Sequence, residues 1–186
     1  SKSRNGMINF PITKIHIVAC GSAYHTGVTA KYVIEGLARI PVEVDVASEF
    51  RYRDPILQKG NMVIVISQSG ETLDTMAALR EAKKRGARIL SIVNVVGSSI
   101  ARESDDVLYT WAGPEIAVAT TKAYSTQMAV LNLLGLYFGE VMGTVDYETY
   151  TAMVRDILAL PEKLEQVLSE TKLQEYRVTE AENQIT

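Results

Sequence analysis

Short apolar runs alternate along this chain with segments of helical periodicity. The runs are mostly β-branched and stop at polar turns, which predicts strands over residues 14–20, 42–46, 62–67, 88–94 and 106–111. The run at 62–67, MVIVIS, is apolar at every position except its last, as is typical of a central parallel strand buried on both faces. The runs at 42–46 and 106–111 are amphipathic, which places them near the edges of a sheet.

Helical segments follow each of these runs, and the one after 42–46 is a short helix within a polar loop over 47–61. The helix after the first run extends through Ile40 and is stopped by Pro41, and the helix after 62–67 covers about 72–85, with Gly86 as the residue that ends it. A short helix is expected within 95–104 and a long apolar helix over 120–142. Strands that alternate with helices imply right-handed crossovers and a parallel sheet covered on both faces. The prediction is an α/β fold with a doubly wound five-stranded parallel sheet of order 2-1-3-4-5.

The last part of the chain differs from the rest because no strand interrupts it. Residues 146–159 and 161–170 form two amphipathic helical stretches separated by Pro161. A length of 186 residues fits one domain with an appendage. We therefore expect a sheet domain over 1–145 and a helical extension over 146–186.

Charge and cysteine content narrow the class of protein. A net charge of −3 gives no reason to expect nucleic acid or an anionic membrane as partner. The single cysteine, Cys20, permits no intramolecular disulfide, which fits a cytoplasmic location. No Cys/His group has metal-ligand spacing, and no apolar stretch reaches the roughly 20 residues of a membrane span. The N-terminal residues lack the apolar core of a signal peptide. We expect neither metal nor cofactor.

The most informative motif follows the central strand and reads SQSGET at 67–72. Free backbone amides at a helix N-terminus favour an anion, and the hydroxyls of Ser67, Ser69 and Thr72 can donate to phosphate oxygens. The motif lacks both GxxxxGK[ST] and GxGxxG, so a small phosphomonoester fits better than a nucleotide. The alternative is that these hydroxyls only cap the helix.

Several segments together resemble a known family. They are CGSAYHTG at 20–27, ASEFRYRDP at 47–55, SQSGETLDT at 67–75, NVVGSSIARESD at 94–105 and GPEIAVATTKAYSTQ at 113–127. These segments resemble the sugar isomerase (SIS) domain. In particular they resemble the first of two such domains in the glutamine–fructose-6-phosphate aminotransferases, or glucosamine-6-phosphate synthases. The resemblance covers roughly residues 14–170, and EFRYR with EIAVATTKAYSTQ is its most specific part.

The resemblance implies a binding site for fructose 6-phosphate or glucosamine 6-phosphate. Its residues come from three loops that each follow the carboxyl end of a strand. The implied substrate-binding residues are Ser22, Ala23, Ser67, Gln68, Ser69, Thr72, Val118 and Thr120. Ala23 stands where relatives often carry a hydroxyl.

The same resemblance implies what this chain does not carry. The family's glutaminase domain, its second SIS domain and its isomerisation base, Schiff-base lysine and ring-opening histidine match nothing here. We therefore expect no catalytic residue in the chain, which reads as an excised first SIS domain that is inactive alone. The resemblance also implies a homodimer, with a glutaminase domain and a second SIS domain as partners in the parent protein. The segment 146–186 would then lead toward that second domain.

Two other functions remain open from the residues. One is the sugar-phosphate sensor domain of a transcriptional regulator, which the EFRYR and ATTKAYSTQ segments disfavour. The other is a single-domain aldose–ketose phosphate isomerase, which would need its own general base. Glu71 and Glu115 are the carboxylates nearest the expected site, and neither matches a catalytic motif.

The remaining reactive side chains have simpler interpretations. Cys20 and His16 read as core residues, and His25 as a surface residue or one that supports the site. Glu49, Arg51 and Arg53 read as a solvated or dimer-contacting segment. Lys122 opposes the dipole at a helix start, so a nearby anion is worth seeking. Helical spacing assigns four further residues to a core or interface: Tyr124, Met128, Leu131 and Leu134.

Overall fold

A computed structural model describes residues 12–116 and 120–169 of the chain. Within these residues five strands form one parallel sheet in the order β2-β1-β3-β4-β5, which confirms the predicted fold. The strands are β1 Lys14–Ala19, β2 Val42–Val46, β3 Asn61–Ser67, β4 Arg88–Val93 and β5 Asp106–Tyr109.

The helices connect and cover these strands. In the described residues they are α1 Gly21–Ala38, α2 Ala47–Phe50, α3 Leu73–Lys84, α4 Ser99–Glu103, α5 Thr121–Met142, α6 Tyr147–Leu158 and α7 Leu160–Ser169. Helix α1 ends two residues earlier than predicted. Arg39 already adopts a left-handed conformation, with φ of 57°, so the chain leaves the helix before Pro41 is reached.

The sheet separates two apolar cores. On one face Ile15, Ile17 and Ile64 pack with α1 and α5. On the other face Val63 and Val65 pack with α2, α3 and α4. Every residue of β3 is buried, as expected for the central strand, whereas β2 and β5 are only partly buried at the two edges.

Helices α1 and α3 leave neighbouring strands toward opposite faces of the sheet. Strands β1 and β3 run side by side, with Ala19 paired to Ile66, so their carboxyl ends coincide. Helix α1 lies close to the sheet at Gly27, where an added Cβ would lie only 2.8 Å from Ile17 Cγ2. The absence of a side chain at Gly27 allows this close approach. A crevice therefore opens where the two chains diverge, which is the usual ligand position in such sheets.

The chain divides into two compact units, Ser1–Val145 and Asp146–Thr186. In the second unit Asp146 caps α6, since its side chain accepts a hydrogen bond from the Thr149 amide at 2.7 Å. The interpretation of this unit as a connection to another domain stays a prediction. Across the described residues, no helix combines the length and apolar character needed to cross a membrane.

Candidate functional site

A polar cleft of about 240 Å³ lies at the carboxyl ends of β1 and β3. Seven of the eight predicted binding residues line it: Ser22, Ala23, Ser67, Gln68, Ser69, Thr72 and Thr120. The eighth, Val118, lies outside the described residues. Three loops far apart in sequence therefore meet at one cleft.

Each hydroxyl of the SQSGET loop has a hydrogen-bond partner within the loop. Ser67 Oγ accepts a hydrogen bond from the Gly70 amide at 3.0 Å and lies 2.9 Å from Thr72 Oγ1. Ser69 Oγ accepts from the Glu71 amide at 3.2 Å. If Ser67 donates its proton to Thr72, the Thr72 hydroxyl keeps its own proton for a ligand in the cleft. The loop thus holds its hydroxyls in fixed positions before any ligand arrives.

Gly70 brings this loop against α4. Its φ is +68°, and a Cβ built at this position would lie 2.0 Å from Ser98 Oγ, so a side chain does not fit. The Gly70 carbonyl accepts from the Ile100 amide at 3.0 Å, and the Gln68 carbonyl accepts from the Asn94 amide at 3.1 Å. The segment after β4 therefore braces the loop from behind.

Glu71 serves this brace and is not among the residues that line the cleft. Its Oε1 accepts from the Ser99 amide at 2.8 Å at the start of α4. The hydrogen bond from that amide is the main cause that lowers the pKa of Glu71. A carboxylate with a lowered pKa that already accepts a backbone proton is poorly suited to act as a general base.

Three helices begin at the cleft, with Cys20, Thr72 and Thr120 as their N-cap residues. None of these three caps makes a side-chain hydrogen bond to its own helix. The alternative that Thr72 serves as a capping side chain is therefore wrong. Ser69 bonds the Glu71 amide, outside α3. A helix N-terminus stabilises an anion by about 0.3–1 kcal/mol, so three together contribute about 1–3 kcal/mol.

No lysine, arginine, histidine, aspartate or glutamate occurs among the described residues that line the cleft. Lys122, at the start of α5, donates to the Pro114 carbonyl. The hydrogen-bond acceptor beside Lys122 is thus a backbone carbonyl oxygen. Glu115 Oε2 accepts from the Ala123 amide at 3.4 Å. The cleft consequently offers neutral donors and helix dipoles for a ligand.

The cleft includes four polar or aromatic residues that the sequence interpretation missed: Cys20, Thr75, Tyr124 and Gln127. Cys20 is half-buried rather than a closed core residue, and Thr75 Oγ1 lies 4.0 Å from its sulfur. Tyr124 faces the cleft, although its spacing indicated a core or interface position. The sequence contained a signal for Gln127, because residues 120, 124 and 127 share one face of a helix and Thr120 was already a predicted binding residue. The structure shows that Gln127 is a buried polar residue.

The two histidines lie away from the cleft lining. His25 is exposed in the first turn of α1, as predicted for a surface residue. His16 is buried on β1, as predicted for a core residue, and its ring packs edge-on against Phe50. Desolvation by burial, followed by the Lys14 charge, lowers the pKa of His16.

The segment that carries EFRYR makes ion pairs within the chain. Arg51 Nη1 lies 3.4 Å from Asp74 Oδ1, and Arg53 Nη2 lies 2.7 Å from Asp45 Oδ2. Both arginine side chains are about one-third exposed, so such pairs contribute roughly 0–1 kcal/mol each. A dimer contact for this segment stays a prediction.

Comparisons with known proteins bear on what the cleft binds. The sequence model of the SIS domain family matches residues 11–137. A glutamine–fructose-6-phosphate aminotransferase of Clostridium acetobutylicum is 62% identical over 166 residues, which are 89% of this chain and 27% of that protein. The corresponding enzyme of Clostridium tetani is 62% identical over 157 residues, which are 84% of this chain and 26% of that protein.

A solved structure agrees with the sequence matches. The C-terminal domain of glucosamine-fructose-6-phosphate aminotransferase from Francisella tularensis superposes with a TM-score of 0.77 and 38% identity. The match covers 84% of this chain and 48% of that one. The sequence resemblance is thereby confirmed, and the chain spans about a quarter of the length of the curated relatives it matches.

Proposed function

The chain belongs to the SIS domain family, and we propose that it is the sugar-phosphate-binding half of an isomerase module like that of the glutamine–fructose-6-phosphate aminotransferases. The ligand is fructose 6-phosphate or glucosamine 6-phosphate. Its phosphate lies against the SQSGET loop, with Ser67, Gln68, Ser69 and Thr72 as donors. Ser22, Ala23, Val118 and Thr120 contact the same ligand from the other two loops.

The convergence of three helix N-termini on an uncharged, hydroxyl-lined cleft is the observation that carries this proposal. A dianionic phosphate gains from the hydroxyl donors and the helix dipoles together. Phosphate captured in this way supplies binding energy remote from the reacting carbons, which can orient an open-chain sugar.

The parent reaction transfers ammonia to fructose 6-phosphate and converts the ketose to an amino-aldose. That conversion needs a proton moved between C1 and C2 by a base. We assign the base to a second SIS domain, because the cleft lining in the described residues contains no carboxylate, histidine or lysine. The same absence disfavours a complete single-domain isomerase.

The assembly forms part of the proposal. A homodimer, a glutaminase domain and a second SIS domain are proposed as partners, and the cytoplasm as the location, on the basis of the aminotransferase relatives. Sedimentation of the chain at several concentrations tests the dimer, and a monomer throughout contradicts it. Cell fractionation tests the location, and recovery in a membrane or extracellular fraction contradicts it.

An NMR titration tests the site. Fructose 6-phosphate and glucosamine 6-phosphate should shift the amide signals of the SQSGET loop and of the first turns of α1 and α3. A contribution of about 1–3 kcal/mol from the dipoles, with a few hydrogen bonds added, places the Kd near 1 mM, so ligand concentrations must extend beyond that. Unphosphorylated fructose should leave these signals in place. Equal shifts by all three sugars, or none by any, overturn the assignment.

A pair of isosteric variants locates the contact. Thr72→Val should weaken phosphate-sugar binding by roughly tenfold to a hundredfold, because a hydrogen bond to a charged group contributes about 1.5–3 kcal/mol. Thr126→Val is the matched control, since the Thr126 hydroxyl bonds the Lys122 carbonyl of its own helix at 2.9 Å and does not line the cleft. Equal affinities for the two variants contradict a contact at Thr72.

A further inference from the structure

We propose that His16, Glu43 and Asp45 form a binding site for a transition-metal ion of the Zn²⁺ class. The three side chains each offer one ligand atom, and these atoms all lie within 4.8 Å of one another. The group lies on the middle of β1 and on the edge strand β2, and it shares no residue with the lining of the sugar-phosphate cleft. It is therefore independent of the function proposed above.

The strand register creates this group. His16 pairs with Glu43 across β1 and β2, and Asp45 follows two residues later, on the same face of β2. His16 Nδ1 lies 3.8 Å from Glu43 Oε2. His16, Glu43 and Arg53 line a pocket of about 410 Å³ that also contains Thr13, Gln58 and Asn61. Water could reach an ion from this side.

The ion pairs of this group do not explain why the imidazole of His16 is buried without a hydrogen bond. Its side chain is 1% exposed, and neither ring nitrogen has a hydrogen-bond partner among the described residues. Buried polar groups normally have partners, so each exception calls for a reason. A metal ion bonded to one ring nitrogen supplies that reason.

Arg53 marks where a cation is held between the two carboxylates. Its Nη2 lies 2.8 Å from Glu43 Oε1 and 2.7 Å from Asp45 Oδ2. Lys14 Nζ occupies the other Glu43 oxygen at 2.6 Å. The Arg53 and Lys14 side chains are 35% and 36% exposed, so both can move into solvent when a divalent ion takes their place between the carboxylates.

The donor set selects the kind of metal. One imidazole nitrogen and two carboxylates suit Zn²⁺ and its neighbours, whereas Ca²⁺ and Mg²⁺ prefer oxygen ligands alone. Ligands of a tetrahedral Zn²⁺ ion lie about 3.4 Å apart, so ligand atoms that are now up to 4.8 Å apart must approach by up to about 1.4 Å. Glu43 is 40% exposed and can make that movement by a change of rotamer. Water would complete the coordination.

Zn²⁺ titration of the metal-stripped full chain tests the site. One ion should bind per chain, and the ring-nitrogen signals of His16 should shift in NMR spectra. The chain has only two histidines, so His25→Gln assigns these signals and is also the control variant, which should bind Zn²⁺ unchanged. No binding up to about 1 mM Zn²⁺, or binding that shifts only His25, overturns the proposal.

Charge variants separate ligation from a merely structural role. Glu43→Gln and Asp45→Asn should each weaken Zn²⁺ binding by roughly tenfold or more. Mutation of a residue that only hydrogen-bonds to a metal ligand already lowers metal affinity by about tenfold to a hundredfold, and loss of a ligand should do at least as much. Arg53→Met should strengthen Zn²⁺ binding, because it removes the competing cation. Thermal unfolding of each variant verifies that it is folded. Unchanged binding in both carboxylate variants, or weaker binding in Arg53→Met, rejects the site.

Discussion

Gly70 shows how much of the cleft depends on a single residue. It has a left-handed backbone conformation, and its missing side chain leaves room for Ser98. The loop that carries Ser67, Ser69 and Thr72 can therefore lie directly against the segment after β4. Neither the backbone conformation nor the space for Ser98 depends on the ligand, so both should contribute to the free energy of unfolding of the ligand-free protein.

Replacing Gly70 with alanine should destabilise the fold in two ways. The left-handed conformation costs about 1 kcal/mol for alanine, and the overlap with Ser98 costs a further 1–3 kcal/mol. Gly97→Ala is the matched control: its φ is +72°, but a Cβ there meets nothing within 4 Å, so only the first cost applies. Urea unfolding measures both. Equal losses would show that Ser98 moves away without cost.

At the scale of elements, α4 depends on the loop as much as the loop depends on α4. Helix α4 has only five residues, and its own N-cap, Ser98, makes no side-chain cap hydrogen bond. Glu71 supplies an acceptor to the Ser99 amide instead. The loop and the short helix thus form one structural unit behind the cleft.

Glu71→Gln should make this unit less stable at neutral pH and no less stable in acid. The folded state lowers the pKa of Glu71 below its usual value, so its charge stabilises the fold above the unfolded pKa of about 4.5. That contribution is lost as the pH falls through the folded pKa. The difference in urea midpoint between wild type and variant should be largest near pH 7 and should shrink as the pH falls below about 4.5.

Glu140→Gln, an exposed change on α5, controls for the loss of one negative charge. A difference between wild type and Glu71→Gln that does not change between pH 7 and pH 3 would contradict the link between the Glu71 carboxylate and α4.

At the scale of the whole molecule, the proposed function separates binding from chemistry. The described residues that line the cleft provide hydroxyls, an amide side chain and helix N-termini, which can orient a sugar phosphate. They include no carboxylate, histidine or lysine that could remove a proton from carbon. This division agrees with a module whose second half completes the site.

The chain alone should therefore not exchange the C1 or C2 protons of fructose 6-phosphate. NMR in deuterated water should show no incorporation above that of heat-denatured protein, at sugar concentrations where the amide shifts report binding. Incorporation that Thr72→Val abolishes would contradict the proposal and show that this cleft contains its own base.

Local pattern was enough to predict the architecture and the meeting of the CGS and SQSGET segments, whereas Val118 and Thr120 were implied only by the family resemblance. The apolar runs and their polar ends determine the strands, and the handedness of crossovers limits their order. Because parallel strands end at the same edge, the CGS and SQSGET segments had to meet there. For these features the information lies within a few residues of each position, in hydrophobic period and in turn chemistry.

Tertiary structure alone decided which side chains meet across that framework. Gln127 and Tyr124 reach the cleft because α5 packs beside α1, and Glu71 turns away because the start of α4 offers it an amide. His16 and Glu43 are 27 positions apart in sequence and become neighbours only when β1 pairs with β2. Such contacts depend on packing between distant segments, and no local pattern encodes that packing.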